Sequence, residues 1–133
     1  MLAYAIAYVS TALVFVAADF VWLSLAGPRL YKPVLGPMLA EKVNLTAALA
    51  FYLIYVAGLV FLAVAPSLKA DQWRVAAMNG LVLGVVAYAT YDLTNQATLR
   101  IWSTRLTLLD MIWGAALSAL AASAAFFAAR RFV

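Results

Sequence analysis

The chain has 133 residues, 68% of them hydrophobic and only 11% charged, with a formal net charge of +4. A soluble core this small could not hide so much apolar surface, and the mean hydropathy of +1.01 marks a membrane protein. Cysteine and histidine are absent, which excludes disulfides, thiolate chemistry, haem ligation through these side chains and His-rich iron clusters.

Four segments are predicted to cross the bilayer, at about 2–26, 45–65, 75–95 and 106–129. Each is close to the roughly 20 residues that hydrocarbon requires. Backbone polar groups in lipid must be satisfied within the spanning segment, so the spans read as helices. The expected fold is an all-α membrane protein, a four-transmembrane-helix bundle forming one domain over 1–133. Ser24-Leu25-Ala26 resembles a signal cleavage site, but no basic stretch precedes it and the span carries Asp19 and Trp22. It is read as a retained helix.

Between the first two spans, residues 27–44 carry an apolar stripe of Leu30, Val34 and Met38 with Tyr31, Leu35 and Leu39. Arg29, Lys32, Glu41 and Lys42 flank it, while Pro28, Pro33 and Pro37 break any long helix. One or two short turns lying in the membrane interface are expected, with an irregular loop as the other reading. The second connection, 66–73, is short, so spans two and three should be antiparallel neighbours.

Even-numbered span count puts both termini on one side, with Lys69, Arg74, Arg130 and Arg131. Arg29, Lys32, Lys42, Arg100 and Arg105 lie on the other, so positive charge gives no orientation. Nucleic-acid binding is excluded, because it needs a clustered basic face.

Small residues mark the helix contacts. Gly80-Leu-Val-Leu-Gly84 lets another backbone come close, and Ala76, Gly80 and Gly84 share a stripe that runs on to Tyr88 and Asp92. In the fourth span Gly114, Ser118 and Ala122 continue a stripe from Asp110. Packing within the chain is preferred to dimerisation as the reason for GxxxG, although a homodimer stays open.

Three acids stand in these apolar spans: Asp19, Asp92 and Asp110. A carboxylate there costs several kcal/mol, so such residues commonly face a bundle interior and mark function. Odd spans end where even spans begin, which brings all three toward one leaflet. Tyr88, Asp92 and Asn95 share a helix face, with Tyr91 adjacent and Trp102 in the following loop. Asp19 with Trp22 and Asp110 with Trp113 repeat one phrase, an acid beside an indole three residues on. Tryptophans near helix ends also suit the ordinary aromatic belt. Asp110, placed in the first turn of its helix, would suit the helix dipole or an interfacial arginine; Asp19 and Asp92, near helix C-termini, would not.

The stretch from Tyr88 to Trp102, containing Tyr91-Asp92-Leu-Thr-Asn95-Gln-Ala-Thr, resembles an uncharacterised bacterial membrane-protein family catalogued as domain of unknown function 2177. Asp19-Phe-Val-Trp22 and Asp110-Met-Ile-Trp113 carry the likeness over the whole chain. The resemblance implies a four-span protein of the bacterial inner membrane, with signature residues at Asp19, Trp22, Tyr91, Asp92, Asn95, Trp102, Asp110 and Trp113. Such proteins are often encoded near lipid-modifying enzymes, which points toward lipids.

The leading expectation is an acid-lined pocket near one leaflet that binds a lipidic or small ligand, in lipid modification or transport. Asp92 and Asn95 are its expected central pair, flanked by Asp19 and Asp110, with Trp22, Tyr88, Tyr91, Trp102 and Trp113 around them. A dimeric proton-coupled exporter of small cations and a non-catalytic subunit of a larger membrane enzyme are the alternatives. Catalysis stays open, since aspartates can act as acid or base but no nucleophile–base pair is readable. No cofactor or metal is expected; oxygen ligands would suit Mg²⁺ or Ca²⁺, yet no dense acidic motif is present. Membrane lipid is the expected partner.

Overall fold

A computed structural model describes all 133 residues, every ordered element of which is helical. Four helices are long and apolar enough to cross a membrane. Helix α1 spans Leu2–Ala26. Helix α2 runs over Leu45–Ala70 and contains a π turn at Val60–Val64. Helix α3 covers Trp73–Thr98 and α4 covers Thr104–Ala129. Large apolar side chains such as Phe20, Ile54 and Phe61 are exposed, as expected where the surrounding solvent is hydrocarbon.

The connection between α1 and α2 is more helical than its prolines suggest. A π turn at Gly27–Tyr31, an α turn at Lys32–Leu35 and a 3₁₀ turn at Gly36–Met38 follow one another. Each proline occupies the first or second position of its own turn, where a missing N–H leaves no intrahelical bond unmade. Leu30 and Leu35 are buried against Ala26 and Leu106, with Tyr31 and Val34 half-buried beside them. The apolar stripe therefore docks on the bundle, except for Met38 and Leu39, which stay exposed.

Helices α3 and α4 form the tightest contact. A methyl group added at Gly80 would stand 2.6 Å from the Ser118 carbonyl oxygen. One at Gly84 would collide with the Gly114 carbonyl and sit 2.8 Å from the Ala115 Cα. The Tyr88 ring covers Gly114 where a side chain would begin. Both small-residue stripes thus face each other within the chain. Ala76, Asp92, Ser118 and Ala122 on the same seam are all 0% exposed. Helix α1 completes the core from the other side of α4: Ala7 packs with Ala122, Ala125 and Phe126, and Phe15 with Leu117 and Ala121.

Helices α2 and α3 are antiparallel neighbours along only part of their length. The turn at Asp71, whose φ of 50° is left-handed, joins them closely. The contact between them is made by Val60–Val64 and Ala65–Ala70. Across the Leu45–Leu59 half, the helices meet through the rings of Tyr55 and Tyr88, 6.4 Å apart. Pro66 cannot donate to the carbonyl four residues back, that of Leu62. Asn79 on α3 supplies the missing donor, its Nδ2 lying 3.0 Å from the Leu62 oxygen.

Replacing Gly84 with valine should force the seam apart and lower thermal stability in detergent by about 1–3 kcal/mol or more. Gly58→Ala, where nothing lies within 4 Å of the added methyl, should be neutral or stabilising. Asn79→Leu should cost about 0.6–1.7 kcal/mol, measured by thermal unfolding in the same detergent. That penalty should shrink in a Pro66→Ala background, where the carbonyl regains a backbone donor.

Candidate functional site

The acids stand deeper than helix ends. Helix α4 begins at Thr104, with the Ser103 hydroxyl accepting from the Leu106 N–H as its cap. Asp110 therefore lies in the second turn, and the expectation of a first-turn, dipole-stabilised carboxylate is corrected. Asp92 stands as far before the end of α3 as Asp110 stands after the start of α4. Asp19 is at a similar depth in α1. Six or seven residues of helix place all three about 9–10 Å inside the span ends.

They come together in one layer. Asp19, Asp92 and Asp110 are 8%, 0% and 6% exposed. Asp19 is held from two sides: Tyr52 Oη donates to its Oδ2 at 2.6 Å, and Trp113 Nε1 to its Oδ1 at 3.2 Å. Asp110 accepts from the Tyr31 hydroxyl, which in turn accepts from Trp22 Nε1 at 2.9 Å. Trp22 and Trp113 stack with ring centres 4.8 Å apart and planes 7° from parallel. The two acid–indole phrases thus interlock, each acid bonded through the other phrase's side of the stack. Neutral donors, and not arginines, hold both carboxyls. Asp92 faces the carboxyl of Asp110.

Beside this layer lies a cavity of about 910 Å³. Asp19 and Leu23 of α1, Tyr31 and Leu35 of the connection, Phe51 and Tyr55 of α2, Tyr88 and Tyr91 of α3 and Asp110 of α4 are among its walls. It occupies the end of the bundle where α2 and α3 are held apart. Lys32, itself exposed, also lines it.

A family profile matches residues 4–127, nearly the whole chain. The chain belongs to the DUF2177 family of predicted membrane proteins. No curated protein and no solved structure matches it. The DUF2177 assignment agrees with the four apolar helices and makes this a multi-pass membrane protein.

Of the residues singled out from the sequence, Asp19, Tyr88, Tyr91 and Asp110 line the cavity of this DUF2177 protein. Trp22 and Trp113 stand behind them in the bonded layer, and Asp92 is buried on the α3–α4 seam with neither oxygen hydrogen-bonded. Asn95 neither lines the cavity nor bonds to Asp92. Trp102 belongs to a clasp at the α3–α4 turn. Its Nε1 donates to Thr107 Oγ1 at 2.8 Å, and that hydroxyl donates to Gln96 Oε1 at 2.8 Å. Gln96 Nε2 then reaches Thr104 Oγ1 at 2.9 Å.

Tyr31 and Tyr52 carry bonds that sequence spacing did not reveal. Tyr52 had a usable signal, since it stands as far after the start of α2 as Asp19 stands before the end of α1. Tyr31 lay inside an apolar stripe, and only the docking of that stripe gives its hydroxyl a role.

Tyr31→Phe removes the acceptor of the Trp22 N–H and the donor to Asp110 together. It should destabilise the protein by about 1–3 kcal/mol and shift tryptophan fluorescence, whereas Tyr52→Phe should leave the Trp22 bond unchanged.

Proposed function

We propose that the cavity is a binding site for a membrane lipid, which enters between α2 and α3 and is recognised at its polar end by Asp19 and Asp110. The carrying observation is the cavity's shape and lining together. Its walls are mostly apolar and aromatic, it lies where two spans separate, and Asp19, Asp110 and Lys32 are the charged groups among its lining residues. Ligand sites commonly combine an apolar body with a small number of placed polar groups. An aqueous solute would gain little from such walls, while an acyl chain matches them.

The setting is the bacterial cytoplasmic membrane, and the role is lipid modification or transport, with membrane lipid as the partner. Asp19 and Asp110 fix the headgroup; the stacked Trp22 and Trp113 keep Asp19 and the Tyr31–Asp110 bond in place.

Filling the cavity tests this directly. Ala87 lines it and is half-buried, so Ala87→Phe should project into empty space without disturbing the α3–α4 seam. Native mass spectrometry of the gently purified protein should show lipid adducts on the wild type, strongly reduced in Ala87→Phe at unchanged thermal stability. Equal lipid retention by both proteins would remove the cavity as the site.

A further inference from the structure

Two polar atoms on the cavity wall have no hydrogen-bond partner in the chain. Asp110 accepts from the Tyr31 hydroxyl through Oδ1, and no N–H or hydroxyl of the chain reaches its Oδ2. The Tyr88 hydroxyl is likewise unbonded. Buried polar atoms without a partner belong to Asp92 alone, so Asp110 Oδ2 and Tyr88 Oη are not sealed in. Both residues line the cavity, and the 6% of Asp110 that stays exposed belongs to that wall.

The two residues share one corner of the site. The Tyr88 ring covers Gly114, one helical turn along α4 from Asp110. Asp19 differs, because both its oxygens already accept, from Tyr52 and from Trp113. Every donor that the chain brings to Asp19 and Asp110 is an uncharged phenol or indole.

An open acceptor beside an open hydroxyl restricts what can complete them. An ionised phosphate only accepts, so it would leave Asp110 Oδ2 without a donor. An ammonium only donates, so it would leave the Tyr88 O–H without an acceptor. An alcohol does both: its O–H donates to Asp110 Oδ2 while its oxygen accepts from Tyr88.

We infer that the cavity takes a lipid whose polar end is a hydroxyl group, held between Asp110 Oδ2 and the Tyr88 hydroxyl. This deepens the reading of the cavity as a lipid site and rests on it. Two kinds of lipid carry that chemistry. In a diacylglycerol the hydroxyl stands on the glycerol that bears the acyl chains. In phosphatidylglycerol it stands beyond a phosphate, for which Lys32 is the basic residue on the wall. Asp92 does not line the cavity and takes no part in holding the ligand.

The experiment uses the full chain in a detergent that carries no hydroxyl groups, with affinities measured by titration calorimetry. Each hydroxyl lipid is paired with a probe of equal charge that lacks the hydroxyl. Dihexanoyl phosphatidylglycerol is set against dihexanoyl phosphatidylpropanol, and dihexanoylglycerol against its methyl ether. The hydroxyl member should bind about 10-fold tighter in at least one pair, and the pair that shows the difference names the source. Tyr88→Phe keeps the ring on Gly114 and breaks no bond within the chain, so it should lose most of that preference at unchanged thermal stability. Asp110→Ala should lose it as well; the ratio within a pair is the readout, which a change in cavity volume moves equally for both members. Equal affinity within both pairs would overturn the hydroxyl and leave the lipid site standing. So would a wild-type preference in Tyr88→Phe, or tighter binding of dihexanoyl phosphatidylethanolamine than of either hydroxyl lipid. Failure of every probe to bind would overturn the lipid site itself.

Discussion

The contact between α3 and α4 governs where every other group can stand. In lipid there is no hydrophobic drive to join two apolar helices, so association depends on close packing and on polar contacts. Gly80 and Gly84 allow the α4 backbone to approach, and Gly114 admits the Tyr88 ring. Such closeness fixes the rotation of both helices about their axes. Asp92 follows Tyr88 by one turn, and Asp110 precedes Gly114 by one turn. The seam that joins the backbones therefore also presses the two carboxyls together.

Bringing acids into the membrane demands donors, and the chain supplies them from three other elements. Tyr52 comes from α2, Tyr31 from the connection, and the two indoles from α1 and α4. None of these donors carries a charge. A lysine or arginine in the same place would itself need desolvation, whereas a phenol or indole brings an apolar body with one polar atom. The stacked tryptophans link the Asp19 bonds to the Asp110 bonds, so the layer behaves as one network. Asp92 is the member left without such a donor.

The same economy of polar groups shapes the opening. Proline in α2 frees a carbonyl, Asn79 satisfies it, and this bond helps hold one half of α2 on α3. The other half touches α3 through side chains, among them the Tyr55–Tyr88 edge contact. The cavity occupies the resulting gap, with the helical connection after α1 forming another wall.

Much of the fold was legible because membrane physics restricts the choices. Apolar length gave four helices, small residues gave the α3–α4 faces, and the alternation of spans put three acids at one level. Helix ends were less legible: Ser103 starts α4 early enough to carry Asp110 into the second turn. Pairwise contacts between residues far apart in the chain were not legible at all. Spacing along a helix records which residues share a face, but it does not record how far neighbouring helices separate or which side chain crosses between them. The sequence by itself determined that the acids would gather near one leaflet. Tertiary packing alone decided that Asp19 and Asp110 border a cavity while Asp92 is sealed behind them, because that division depends on the closeness of α3 to α4 and the gap between α2 and α3.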